Sequence, residues 1–502
     1  MEFIIGNLDA CKRVNNEILR RKTSVEEKMT SLGMKIEIHF SKNDLTNRIG
    51  IKFLNQLGIQ LPLTVGLPKV FQKLRKVRRL LDKKTDDEIL NLPLTENPKL
   101  STAMGIMTQI TQNCFLRGNI PSALYTAFVA TELSLIHGLS PHSANAFNVY
   151  GTAELGADNI DRAYRIAKIS LMLLSRISCK DIGSAVVGHA ALSLISRKER
   201  LRDLWNLFPQ PLNDSFDVGS ILSVSFGLQT YFNIRLWAGD NLQSLEKVMR
   251  EMWYRAFNFG QPLPLVIMKP VIQLVLNLRQ SESETWKDAA LLNGEIMNEE
   301  EFISISTSDK DGRLAMFRMC KMFLLYNFSF YKEAQDICRK VARSGHPLSQ
   351  FTCLSLPFHF FYAMISYRCY HSVGLRKNLR VARRCRKFIM KQHSNENPNA
   401  DPYLQILNVE ELYLKKSQDN IIPKIVDACN SAIELQKEKE LFHLEALANE
   451  RAGCILAELG YSNANRYYHE AIHVNQNKWG ANMKSEWLKN FFKQDLKNLD
   501  QH

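Results

Sequence analysis

The feature that most constrains the fold is residues 441–481, whose pattern is typical of two antiparallel helices joined by a tight turn. Small and apolar residues recur there at helical spacing on both sides of Gly460, a residue that suits the end of a helix. They are Ala448, Ala452 and Ile455 before the turn, and Ala464, Tyr468 and Ala471 after it. These residues predict a helical hairpin whose two helices pack closely against each other.

The same pattern recurs along the chain. Asn97 can cap a helix that begins at Pro98, and Ala123 and Ala163 lie 40 residues apart, each shortly after a turn. That period falls within the range of helical repeats. Further turns are predicted at Gly118-Asn119, Asp158-Asn159, Gly239-Asp240, residues 327–330 and Gly460.

These observations together predict an all-α chain. No series of alternating strands is present, and the spacing from Ala452 to Ala464, Tyr468 and Ala471 is close to the small, small, aromatic, small pattern of a tetratricopeptide repeat. The predicted fold is a tetratricopeptide-like α-solenoid of stacked antiparallel helix pairs.

Breaks in the helical pattern divide the chain into three predicted segments. Residues 1–92 form an N-terminal helical segment, in which residues 8–57 are predicted to be helical with a cap at Thr23-Ser24. Residues 93–393 form a central helical-repeat region with a polar loop insertion near residues 293–312. Residues 394–502 form a C-terminal helical-repeat region that follows a turn-rich connector.

The positive charge is concentrated in two segments. The chain has a net charge of +14; residues 69–84 account for +7 and residues 374–393 for +8. The rest of the chain therefore sums to −1. In residues 69–84 an apolar helical stripe is predicted to face the core, and the basic residues form a second patch around it. The stripe is Val70, Leu74, Val77 and Leu81, and the patch is Lys69, Lys73, Arg75, Lys76, Arg78, Arg79, Lys83 and Lys84.

Residues 376–391 are predicted to form an amphipathic helix with one cationic face and one core face. The cationic face consists of Arg376, Arg380, Arg383, Arg384, Lys387 and Lys391, and the opposite face of Leu375, Val381, Ala382, Cys385, Phe388 and Ile389. Such a face can be merely solvated, can bind an acidic protein, or can bind anionic lipid or nucleic acid. Its single aromatic residue, Phe388, lies on the core side, which disfavours stacking of single-stranded bases. An acidic protein is therefore the preferred partner.

The sequence lacks the motifs of the common catalytic and metal-binding classes. There is no GxxxxGK[ST] phosphate loop, kinase motif, HExxH or GxSxG, and the ten cysteines are scattered. His359 is predicted to be a core or groove residue, and Met316, Met319 and Met322 to lie in the core. We therefore predict no enzymatic activity, cofactor or metal. Scattered thiols favour the cytoplasm, and no transmembrane segment is predicted.

Several short stretches resemble a known family. They are Glu17-Ile18-Leu19 with Glu27-Lys28; residues 57–62; Leu92-Pro93 and Thr95 before Leu100; residues 134–138 with Ser140; and residues 445–450 with Trp479-Gly480-Ala481 and Lys484. The chain is similar to the tetratricopeptide-like helical region that follows the AAA-type ATPase in large multidomain signalling proteins, which also contain serine/threonine kinase or GAF and histidine-kinase modules. The quoted residues are mainly packing residues, so the resemblance implies a scaffold and no catalytic role.

The resemblance also implies that the chain is a derivative or fragment of a larger signalling ATPase, since it begins inside the repeat pattern. We predict a non-catalytic helical-repeat scaffold for protein–protein interaction or regulation in signalling. Two alternatives remain at this stage. One is an RNA-binding helical-repeat protein, although no side chains recur at fixed positions to read bases. The other is the regulatory part of a nucleotide-dependent sensor kinase.

Overall fold

The computed structural model describes residues 8–20, 45–116, 118–260, 265–281, 283–305, 312–346 and 348–499. Helix makes up 78% of the structure, and the described residues form no strand. They contain one isolated bridge, between Leu94 and Leu139. The predicted all-α fold class is therefore confirmed. No helix among the described residues combines the length and the apolar character needed to cross a membrane.

The helices follow one another with short connections. Up to residue 257 they are α1 (Leu8–Arg20), α2 (Leu45–Gln56), α3 (Leu67–Leu81), α4 (Asp86–Leu90), α5 (Pro98–Leu116), α6 (Ile120–His137), α7 (Ser143–Gly156), α8 (Ile160–Arg176), α9 (Gly183–His189), α10 (Leu201–Leu204), α11 (Pro209–Asp217), α12 (Ile221–Trp237) and α13 (Leu242–Phe257). From residue 265 they are α14 (Lys269–Arg279), α15 (Trp286–Ala289), α16 (Glu299–Ser304), α17 (Gly312–Asn327), α18 (Tyr331–Ser344), α19 (Leu348–Phe351), α20 (Ser355–Val373), α21 (Arg376–Ser394), α22 (Asp401–Tyr413), α23 (Ile421–Glu438), α24 (Phe442–Glu458), α25 (Ala464–His473) and α26 (Asn482–Leu499). Short π-helical or 3₁₀ turns lie at Ala190–Leu194, Ile195–Arg197, Trp205–Leu207, Val266–Met268 and Val474–Trp479.

The chain forms two compact units. The first consists of Met1–Ile195, Asn206–Thr230 and Tyr254–Leu265, and the second of Ser196–Trp205, Tyr231–Trp253 and Val266–His502. This division does not test the boundaries of the three predicted segments, which stay predictions.

The first unit is built from helix pairs that begin and end where local sequence signals place them. The side-chain oxygen of Asn97 accepts hydrogen bonds from the backbone N–H of Lys99 and Leu100, which caps α5. Gly118 has a φ of +70° and Asn119 caps α6, so a tight turn joins α5 to α6. The predicted stripe of α3 is buried in a core that also contains Phe128, Phe147 and Tyr150.

In the second unit, α24 and α25 form the predicted hairpin around Gly460, and the six predicted contact residues are all buried. The Tyr468 ring of α25 lies directly against Gly453 of α24, a contact that the sequence did not identify. A Cβ atom at this position would lie 2.5 Å from Cε1 of Tyr468, so only glycine fits between the helices without displacing that ring. Met316, Met319 and Met322 are buried in α17, as predicted.

The prediction of a loop at residues 293–312 was wrong in part, and other predictions lie outside the described residues. The polar stretch at residues 293–312 contains the helix α16, because Asn298 caps its N-terminus and Phe302 is buried and stacked on Phe317. Residues 306–311 of that stretch are outside the described residues. So are residues 21–44, which include the predicted cap at Thr23-Ser24 and the Glu27-Lys28 pair.

Candidate functional site

The cationic segment at residues 376–391 forms most of α21. Gly374, with a φ of +71°, ends α20 and turns the chain into α21. The inner face of α21 is buried, and its buried residues are Asn378, Ala382, Cys385, Ile389 and Gln392. This face packs mainly against α20 and also touches α22. Packing within the second unit therefore fixes which side of α21 faces the solvent.

All six predicted cationic residues are exposed. Arg383 donates two hydrogen bonds to Glu411, at 3.2 and 3.3 Å. Four other members of the face form no ion pair with any residue in the described ranges. They are Arg376, Arg380, Arg384 and Lys387. We call these four residues the open cations of α21; their charge is available to a ligand.

The aromatic ring of Phe388 on α21 is half-buried. The ring of Phe388 stacks on His359 of α20, with 3.8 Å between ring centroids and 12° between planes. Nδ1 of His359 donates to the Ser355 carbonyl at 2.8 Å. Burial lowers the pKa of His359 to about 4, and the nearby Arg384 adds to that effect. The imidazole is therefore neutral near neutral pH, and it occupies one face of the half-buried Phe388 ring.

The prediction that Leu375 faces the core was wrong. Leu375 precedes the first turn of α21, where the chain leaves Gly374, and its side chain is 44% exposed. Val373 and Met390 are exposed to a similar extent. The exposed side of α21 thus combines cationic groups with apolar groups at both ends of the helix.

Three residues of the second basic patch, on α3, form ion pairs within the first unit. Lys73 and Lys76 both bind Glu132 of α6, at 2.7 and 2.5 Å. Burial would raise the pKa of Glu132, but the hydrogen bonds from the two lysines outweigh it and hold that pKa below its ordinary value. Arg78 donates two hydrogen bonds of 2.7 Å to Glu154 of α7. These three cations join α3 to its neighbours.

The remaining residues of the α3 patch are mostly exposed to solvent. Lys69, Arg75, Arg79 and Lys83 are exposed, and Lys84 is half-buried. A polar cleft of about 380 Å³ lies nearby, lined by Arg78, Asp158, Asn159, Ile160, Asp161 and Arg162. Its two arginines already bind Glu154 and Asp82, and two aspartates line it, so the cleft is poorly suited to a phosphate group.

A buried ionic network in the second unit was missed by sequence reasoning. Arg451 of α24 donates a 2.6 Å hydrogen bond to Glu410 of α22, and both side chains are almost completely buried. Burial disfavours the charge on Glu410, but Arg451 outweighs it and lowers the pKa of Glu410. Lys484 donates to Glu450 at 3.0 Å and to the Asn327 carbonyl at 2.6 Å. These pairs join helices and are closed to solvent.

Several residues on which the family resemblance rests belong to this interior. Glu450 pairs with Lys484, Glu445 accepts from Lys478 at 2.7 Å, and Trp479 is buried. Trp479 is a packing residue, as the sequence predicted, whereas Glu445, Glu450 and Lys484 form ion pairs that the sequence did not predict. No protein-family model matches the chain, and the comparison with curated proteins gives no match. The resemblance to the signalling ATPases therefore stays a prediction.

A further group of potential ligands lies in the first unit. One ligand atom each from His142, Cys179 and Asp181 lie within 4.8 Å of one another. Burial lowers the pKa of His142, and burial together with Asp181 raises the pKa of the Cys179 thiol well above its ordinary value. No motif indicated this group, because His142 is far from Cys179 and Asp181 in the sequence.

Proposed function

We propose that the chain is a non-catalytic, tetratricopeptide-like helical-repeat scaffold whose cationic face on α21 binds an acidic protein segment in a signalling assembly. The observation that supports this best is the set of open cations on α21, held by a helix whose other face is packed. Exposed apolar side chains at both ends of the face, Val373, Leu375 and Met390, suit a segment that combines acidic and apolar residues.

The surroundings of α21 favour protein over lipid or nucleic acid. An amphipathic helix that binds a membrane inserts its apolar face, but that face of α21 is packed against α20. Proteins that bind single strands usually offer aromatic rings for base stacking. Here Phe388 is stacked on His359.

We propose no catalytic role for the chain. The phosphate-loop and kinase motifs are absent from the sequence, and the charged clusters of α3 and the second unit form ion pairs between helices. None of the cysteines whose side chains are described forms a disulfide, which is typical of a reducing compartment such as the cytoplasm.

A charge-reversal variant tests the proposed surface. Arg376, Arg380, Arg384 and Lys387 are changed to Glu, while Arg383 is kept because it pairs with Glu411. Exposed pairs contribute about 0.2–1 kcal/mol each. Losing four therefore costs about 0.8–4 kcal/mol and should weaken binding roughly fourfold to a thousandfold. The measurement is salt-sensitive capture of cellular proteins by purified variant and native protein, quantified by mass spectrometry. Circular dichroism checks that the variant keeps its helical content.

A matched control reverses the same number of charges on the other basic helix. Lys69, Arg75, Arg79 and Lys83 are exposed on or just beyond α3 and are changed to Glu. We expect this control to retain the captured proteins. Equal capture by the native protein and the α21 variant would contradict the proposal. Capture that disappears after nuclease treatment would instead support the RNA-binding alternative.

A further inference from the structure

Two successive connections between helix pairs meet in the first unit. His142 lies on the connection from α6 to α7, and Cys179 and Asp181 lie on the connection from α8 to α9. Their ligand atoms lie within 4.8 Å of one another. Sγ of Cys179 donates to Oδ1 of Asp181 at 3.1 Å, so these two groups are already in contact.

The imidazole of His142 is held in place but incompletely bonded. A Cβ atom at Gly105 of α5 would lie 3.0 Å from Nε2 of His142, so the ring rests directly on the α5 backbone. Its Nδ1 atom is buried, and no described residue forms a hydrogen bond with it. A buried polar atom without a partner is costly, which makes this ring an available ligand.

The three groups have the donor chemistry that Zn²⁺ prefers. Thiolate sulfur, imidazole nitrogen and carboxylate oxygen are its usual protein ligands. With metal–ligand bonds of about 2.0–2.3 Å, tetrahedral ligands lie roughly 3.3–3.8 Å apart. The Cys179–Asp181 contact of 3.1 Å is already close to this separation, and His142 lies within 4.8 Å of both groups. The exposed side chain of Asp181 leaves a fourth position for water.

We propose that His142, Cys179 and Asp181 bind one Zn²⁺ ion, which ties together the connections that follow α6 and α8. On binding, the Cys179 thiol loses its proton to solvent and its sulfur bonds to the metal; no redox change occurs. The ion would stabilise the stacking of neighbouring helix pairs. Without a metal, the thiol only donates a hydrogen bond to Asp181.

Cobalt substitution tests the site in the purified full chain. Co²⁺ bound to a thiolate gives an intense charge-transfer band in the near ultraviolet, so titration reports both stoichiometry and sulfur ligation. We expect one equivalent to produce the band and Zn²⁺ to displace it. We also expect Zn²⁺ to raise the melting temperature, since it binds only the folded site.

The variants identify the ligands. Cys179→Ser should abolish the band, while Cys369→Ser, a control at a thiol of the second unit that donates to the Tyr331 carbonyl, should retain it. His142→Gln and Asp181→Asn keep the sulfur and should weaken Co²⁺ binding by at least the roughly tenfold caused by loss of an outer partner. No band in the native protein, a band unchanged in Cys179→Ser, or equal affinity in His142→Gln and the native protein would overturn the proposal.

Discussion

Gly453 and Tyr468 determine how closely α24 and α25 approach. The Tyr468 ring is confined on its other side by Phe492, with 3.7 Å between ring centroids. It therefore cannot move away from an added methyl group at Gly453. The sequence predicted contacts at Ala448, Ala452 and Ile455, which are all buried, but a glycine in mid-helix gave no indication that the partner ring lies directly on it.

We expect Gly453→Ala to destabilise the protein by about 1–3 kcal/mol, the usual cost of overpacking. Gly156→Ala is the control, because a Cβ atom there meets nothing within 4 Å and alanine favours helix. It should leave stability unchanged or raise it by about 0.4–1 kcal/mol. Urea unfolding of both variants measures the difference. Equal stability of Gly453→Ala and the native protein would show that the helices do not meet at this point.

Buried ion pairs join neighbouring helices of the second unit. Glu410 of α22 and Arg451 of α24 are the clearest case, since both are withdrawn from water. Removing one partner of such a pair leaves an uncompensated buried charge. Replacing both by apolar residues of similar size avoids that cost.

Glu410→Gln should therefore destabilise the protein by about 3–5 kcal/mol. Glu434→Gln, which removes an exposed pair with Lys437 on α23, should cost about 0–1 kcal/mol. The double variant Glu410→Leu with Arg451→Met should recover part of the loss. Denaturant midpoints of the three variants provide the measurement. A small loss for Glu410→Gln, equal to that of Glu434→Gln, would contradict the account of the buried pair.

The elements themselves were largely predictable because their signals are local. Asn97, Gly118 and the stripe of α3 act through neighbours a few residues away, and the structure agrees with each. The ion-pair partners of the charged residues were not predictable in this way, because they are distant in the sequence. Lys73 binds Glu132, which lies 59 residues away in the sequence. The sequence alone therefore did not show that the charge of Lys73 is paired in the folded protein. The cluster of His142 with Cys179 was missed for the same reason.

At the scale of the whole molecule, buried neutral histidines couple stability to pH. Burial lowers the pKa of His189 and His359 to about 4 and that of His443 to about 3. An unperturbed histidine has a pKa of about 6.5. Below that pH, these histidines bind protons in the unfolded chain but not in the folded chain. Stability contributed by these groups is complete above about pH 6.5 and is lost as the pH falls towards their folded values.

We therefore expect the urea midpoint to fall between about pH 7 and about pH 5, with each such histidine contributing about 1.4 kcal/mol per pH unit below its unfolded pKa. His359→Gln should reduce this pH dependence. His137→Gln, at an exposed position, should leave it intact. A stability that is flat over this interval would mean that the buried rings are protonated in the folded protein.

Photo-crosslinking in living cells can show whether the open cations of α21 contact an acidic protein segment, as we propose. A photo-crosslinking amino acid is placed at Arg384 of α21 and, as the matched control, at Arg79 of α3; both positions are exposed. We expect the Arg384 probe to crosslink to proteins through peptides rich in Asp and Glu, and the Arg79 probe not to do so. Crosslinks from Arg384 to RNA alone, to no protein, or to the same proteins as the Arg79 probe would contradict the proposal.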